Sequence, residues 1–109
     1  MSKYNRDARD NQSWRQSKDY KKWKAKALRY QKCCQICGET EDLNVHHLFC
    51  SSYHPEKRYL YSNAKVLCKS CHMIFHCDYK AGYRVKTTKH DFEEFKKIAL
   101  HFIEVGKRE

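Results

Sequence analysis

Between Ser17 and Gln31, Tyr20, Trp23, Ala27 and Leu28 recur near helical spacing, with Lys21, Lys22, Lys24, Lys26 and Arg29 between them. This pattern predicts an amphipathic helix with one side on the core and a basic side toward solvent. Leu43 to Phe49 reads as a short strand with His46-His47 near its end, and Ala64 to Leu67 as a second strand. Residues 50–62 form a loop that holds the only proline, Pro55, and several tyrosines. Lys69 to about Tyr79 is predicted helical and is expected to end at Ala81-Gly82. The last segment has the cleanest helix signals. Thr88 can cap the amino terminus with Asp91 three residues on. Phe92, Phe95, Ile98, Ala99, Phe102 and Ile103 form one apolar stripe, and Gly106 marks the expected stop. Residues 1–14 carry no helical or strand periodicity and are read as a flexible basic tail. Trp14 and Trp23 are taken as packing anchors. There is no internal repeat and no low-complexity tract.

These elements describe one small α+β domain over 15–109, because 109 residues leave little room for a second core. Hydrophobic residues make up 40% of the chain and charged residues 33%, so the core is thin and a metal is the expected staple. No apolar run reaches membrane-spanning length, and the start lacks an apolar signal segment. The expected location is therefore the cytoplasm, where thiols stay reduced. The odd count of seven cysteines also disfavours a closed disulfide framework. The net charge of +10 is uneven. Residues 1–32 hold eleven Lys/Arg against three Asp, and residues 33–109 hold twelve basic against ten acidic. A basic amino-terminal third beside a near-neutral module points to a polyanionic partner, most simply nucleic acid.

Cys34-x-x-Cys37 and Cys68-x-x-Cys71 supply the four corners of a tetrahedral thiolate site, and the softness of sulfur favours a structural Zn²⁺. Gly38 lets the chain turn after the first pair. Cys33 could substitute for Cys34 but at a less common spacing. Cys50 and Cys77 lack a short-spaced partner and are read as packing residues. A Cys₂His₂ finger built on Cys34, Cys37, His72 and His76 is rejected, since Cys37 and His72 are too far apart and Cys68 and Cys71 would be stranded.

The histidines are then in surplus. His72 and His76 are four residues apart on a predicted helix and share a face. Cys71 is turned about 100° from His72 and can face a different metal. His46 and His47 are neighbours on a predicted strand and point to opposite faces, so one can bind a metal while the other stays free as a base. His54, His90 and His101 fit no such role.

The ordered set Cys34-x-x-Cys37-Gly38, Val45-His46-His47, Asn63, Leu67-Cys68-x-x-Cys71-His72-x-x-x-His76 resembles the HNH endonuclease family, of the phage or mobile-element type. The match covers about residues 30–80. The resemblance implies a ββα-metal core, a short β-hairpin plus helix, flanked here by the amino-terminal basic helix and a carboxy-terminal packing helix at about 88–105. It implies His47 as general base, with Asn63 holding the loop and orienting it. It implies His46, His72 and His76 as ligands of a catalytic divalent ion, which is Mg²⁺, Mn²⁺, Ni²⁺ or Zn²⁺. Many members carry Asp where this chain has His46, and many lack a ligand at His76, so metal preference can differ. The partner implied is DNA, contacted mainly through its backbone by Lys21, Lys24, Arg29, Lys57, Arg58, Lys65 and Lys69. By the same analogy the setting is a prokaryotic or phage-infected cell. The competing readings are a non-catalytic zinc module that binds nucleic acid through the basic helix, and a protein-interaction domain whose metals are both structural. A degenerate binding module would be expected to have lost His47 or Asn63, and both are present.

Overall fold

The computed structural model describes residues 12–80, 82 and 85–108. Residues 1–11 of the expected tail and Ala81 of the expected helix end lie outside them. Gln12–Gln16, of which 12–14 were assigned to the tail, instead form a 3₁₀ turn. Its Trp14 is half-buried, and its carbonyl accepts from the Ser17 main chain at 3.1 Å.

Helix α1 is Lys18–Tyr30. Ser17 caps it, with Oγ accepting from the Tyr20 N–H at 3.1 Å, which satisfies one of the orphan donors of the first turn. Trp23 and Ala27 are buried against Ala64 and Val66, with Tyr20, Leu28, Tyr59 and Tyr61 around them. The lysines of the helix face solvent, as the spacing predicts. Strands β1 (Leu43–His47) and β2 (Ala64–Cys68) pair antiparallel, with His46 opposite Lys65 and His47 opposite Ala64.

β2 would expose its outer hydrogen-bonding edge, but two glutamines after α1 cover it. The Gln31 amide accepts from the Val66 N–H at 2.8 Å and donates to the Ala64 carbonyl at 3.0 Å. The Gln35 N–H donates to the Val66 carbonyl at 2.9 Å. The Gln31 side chain and the Gln35 backbone amide thus stand in for a third strand at the edge.

Helix α2 is Lys69–Met73, and it widens into a π-helical stretch at Ile74–Tyr79. The Lys80 N–H reaches back five residues to the Phe75 carbonyl at 3.0 Å. Gly82, at φ +132°, donates to the His76 carbonyl at 2.6 Å, a left-handed exit that glycine adopts without strain. Helix α3 is Lys89–Arg108. Thr88 and Asp91 form a reciprocal cap: the Thr88 N–H donates to the Asp91 carboxylate at 2.9 Å and the Asp91 N–H to the Thr88 hydroxyl at 3.3 Å. The carboxyl of Asp91 also pairs with Lys80 at 3.1 Å.

Two expectations about α3 need correction. The apolar stripe splits: Phe92 and Phe95 are buried and Ala99 and Ile103 pack at the core edge, but Ile98 and Phe102 are exposed. A helix of this length outreaches two five-residue strands. Gly106 does not stop the helix, which runs on to Arg108. A glycine inside a helix costs only about 0.5–1 kcal/mol relative to Ala, a penalty rather than a barrier.

The sheet separates two clusters. Leu67 faces Cys34, Ile36, Leu48, Cys68, Phe75, Phe92 and Phe95, while Ala64 and Val66 face α1. Among the described residues no helix is long and apolar enough to cross a membrane.

Candidate metal centres and the divergent histidine pair

The ligand atoms of Cys34, Cys37, Cys68 and Cys71 lie within 4.8 Å of one another, and this group can hold a metal ion. Each pair comes from a local device that aims sulfur inward. After Cys37 the chain turns at Gly38, at φ +84°, whose N–H donates to the Cys34 carbonyl at 3.0 Å. Cys68 ends β2 and caps α2, its Sγ accepting from the Cys71 N–H at 3.4 Å. The sulfurs of Cys37 and Cys68 are 3.6 Å apart.

Four thiols this close cannot all ionise without a cation among them. Burial pushes the Cys71 thiol well up, and the crowding sulfurs of Cys68, Cys34 and Cys37 add to it. At Cys34 burial acts in the same direction, but main-chain donors at Cys37, Cys68 and Ile36 outweigh it and bring the thiol to about 7. A soft divalent ion would relieve this crowding, so the donor set fits the ion the spacing predicts.

Cys33, Cys50 and Cys77 stand outside the group. Cys77 is exposed rather than a packing residue, because it sits on the outer side of the π-helical stretch. Cys50 ties its loop to the segment before α3, donating from N to the Thr87 carbonyl at 3.2 Å.

His46, His72 and His76 form the second group, their ligand atoms also within 4.8 Å. His46 Nδ1 lies 3.3 Å from His72 Nε2, and His76 Nε2 lies 3.0 Å from the same atom. Strand alternation sends His46 to the α2–α3 side, edge-on to Phe75 at 4.8 Å between ring centres. One helical turn brings His72 and His76 to the same place. Burial lowers all three imidazoles: His46 well below its usual range, with the other histidines adding to this, and His72 and His76 to about 4. They are neutral near pH 7, the state in which imidazole lone pairs bind metal. A set made only of nitrogen suits Zn²⁺, Ni²⁺ or Mn²⁺ better than Mg²⁺.

His47 points to the opposite face. Trp23 stacks on its ring at 4.1 Å between centres and 14° between planes, and Trp14 meets it edge-on at 5.6 Å. Nε2 lies 3.0 Å from the Arg58 carbonyl. A carbonyl only accepts, so Nε2 carries the proton and Nδ1 holds the lone pair. Burial is the main cause that brings this imidazole down to about 4. The Arg58 carbonyl opposes it, and the charges of Arg15 and Arg58 push the same way as burial.

Asn63 is buried and saturates the loop between the strands. Its Oδ1 accepts from the Phe49 N–H at 2.7 Å, and Nδ2 donates to the carbonyls of Phe49 at 3.0 Å and Lys57 at 3.1 Å. It reaches His47 through the loop that presents the Arg58 carbonyl, one residue after Lys57, and not by direct contact.

The predicted backbone-contacting residues are spread out. Lys21, Lys24 and Arg29 are exposed on α1, and Lys69 is exposed at the start of α2. Lys65 lies on the His46 side, its Nζ 5.8 Å from the Phe92 ring centre. Arg58 lies beside His47 through its carbonyl, while Lys57 Nζ lies 4.9 Å from the Phe49 ring centre. His54, His90 and His101 stay outside both groups, with His54 3.5 Å from Glu56. Sequence reasoning missed that Trp14 and Trp23 enclose His47, and it missed Arg15. The apolar face of α1 shows that Trp23 is buried, but not against which residue.

No protein-family model matches the chain, and neither a curated protein nor a solved structure is significantly similar to it.

Proposed function

We propose that this chain is a metal-dependent endonuclease of the HNH type, which hydrolyses DNA phosphodiester bonds on a ββα-metal core made of β1, β2 and α2. A structural Zn²⁺ on Cys34, Cys37, Cys68 and Cys71 holds the fold. The observation that carries this reading is the divergence of His46 and His47. One joins a three-histidine group, while the other is fixed between two indoles with its proton committed to the Arg58 carbonyl.

His47 then does one thing. Its Nδ1 lone pair takes a proton from water as the water oxygen bonds to phosphorus and the bond to the 3′-oxygen breaks. Trp23 and the Arg58 carbonyl hold the ring in one orientation and one tautomer, so no reorientation accompanies proton transfer. Asn63 keeps the carbonyl in place by anchoring the adjacent Lys57. Such positioned bases contribute typically ~10²–10⁴-fold. His46, His72 and His76 would hold a divalent ion, which when bound supplies positive charge for the scissile phosphate and the departing oxygen.

The test is conversion of supercoiled plasmid by purified protein with Mg²⁺, Mn²⁺, Ni²⁺ or Zn²⁺ supplied in turn. Nicked or linear product is expected with at least one ion. DNA binding without cleavage under every ion would favour a non-catalytic zinc module instead.

A further inference from the structure

Trp14 is flanked by two guanidinium groups. The central carbon of Arg15 lies 5.0 Å from its ring centre and that of Arg58 4.6 Å. The same indole meets His47 edge-on at 5.6 Å between ring centres, so both positive groups and His47 share one indole. Among the described residues neither pairs with a carboxylate. Among the described residues the ion pairs are His54–Glu56, Lys80–Asp91 and His90–Glu94. Arg58 donates from Nη2 to the Ser51 carbonyl only at 3.4 Å, and its buried Nε has no partner.

The neighbouring metal-ligand set does not supply the missing negative charge. Among the described residues it is made of three imidazoles, on the other side of the sheet from His47, so a bound divalent ion would keep its charge and add to the positive field instead of cancelling it. The field of Arg15 already reaches both His47 and His72.

We infer that Arg15 and Arg58, ranged on Trp14 beside His47, form a clamp for a backbone phosphate of a bound nucleic acid. A guanidinium presents its donors in a planar fork that matches two phosphate oxygens, and the indole beneath limits the orientations the fork must give up on binding. Arg15 comes from the turn before α1, outside the metal-binding segment at 30–80. The amino-terminal turn is therefore part of the site and not an appendage to it. The clamp rests on the nuclease reading only for its place next to the cut, since phosphate capture needs no cleavage.

The experiment is binding of a fluorescein-labelled DNA duplex, followed by anisotropy over a series of salt concentrations with no added catalytic ion. Wild type is compared with Arg15→Gln, Arg15→Lys and Arg58→Gln. Each Gln variant is expected to bind several-fold more weakly, with the slope of log K against log salt shallower by about 0.9, one phosphate contact. Arg15→Lys keeps most of the slope. Arg15 is exposed, so its variants are expected to melt like wild type, and they decide the matter should Arg58→Gln fold poorly. Wild-type affinity and slope in Arg15→Gln would overturn the clamp, as would a wild type that binds no DNA. If the binding differences appear but plasmid is never cut, the clamp stands and the nuclease reading fails.

Discussion

Asn63 shows how much a single side chain holds here. Its three hydrogen bonds tie the end of the loop between the strands to its start and middle, and the Asn63 side chain is itself buried. Asn63→Ala would leave the Phe49 N–H and the carbonyls of Phe49 and Lys57 to find other partners. An unsatisfied buried polar group costs about 1–3 kcal/mol. The expected loss is therefore a melting temperature lower by roughly 10 °C, together with slower cleavage, because the Arg58 carbonyl is no longer held against His47. Thermal melting by circular dichroism checks this, and an unchanged midpoint would contradict it. At this scale the sequence was partly legible. Strand alternation suffices to send His46 and His47 to opposite faces, and spacing suffices to gather the four cysteines. The contact of Trp23 with His47, and the tautomer that the Arg58 carbonyl imposes, depend on how α1 crosses the sheet, which no local pattern encodes.

The elements themselves were well announced where local chemistry sets them. Ser17 and the Thr88–Asp91 pair start α1 and α3 because their oxygens satisfy first-turn N–H groups. The π-helical widening at Ile74–Tyr79 was not legible, since its residues have the same helical spacing that an α-helix would show. Nor was the covering of β2 by Gln31, because a side chain standing in for a strand leaves no periodic trace. The seam between β1 and α2 has a consequence for acidity. His72 and His76 titrate near 4 in the folded chain, as does His47 on the other face of the sheet, against about 6.5 for an unperturbed histidine. Between these values the unfolded chain binds more protons, so folded stability falls as pH drops from about 6.5 toward 4. Melting temperature is expected to decline over that window and to decline less steeply in His76→Gln, which removes one such group. A melting temperature that is flat or rises on acidification would contradict the burial of neutral histidines.

Taken whole, the molecule combines two groups that can hold metal ions with an uneven distribution of charge. Among the described residues the core is two small clusters on either side of a two-stranded sheet, and an ion held by Cys34, Cys37, Cys68 and Cys71 would tie the chain before β1 to the start of α2. Structural zinc in small domains contributes on the order of 10 kcal/mol to folding. The excess charge lies in the first third of the chain, and the structure brings part of that third to the histidines through Trp14, Arg15 and Trp23. Composition alone places the excess charge in the first third of the chain, and folding sets Arg15 of that third beside Arg58 on the Trp14 ring. The central claim is that His47 serves as the base while the other histidines serve the metal. It is tested most directly by plasmid cleavage with His47→Ala, with zinc content and melting temperature measured on the same sample. Cleavage is expected to fall by about 10²–10⁴-fold while zinc and folding persist. Wild-type cleavage by that variant would contradict it.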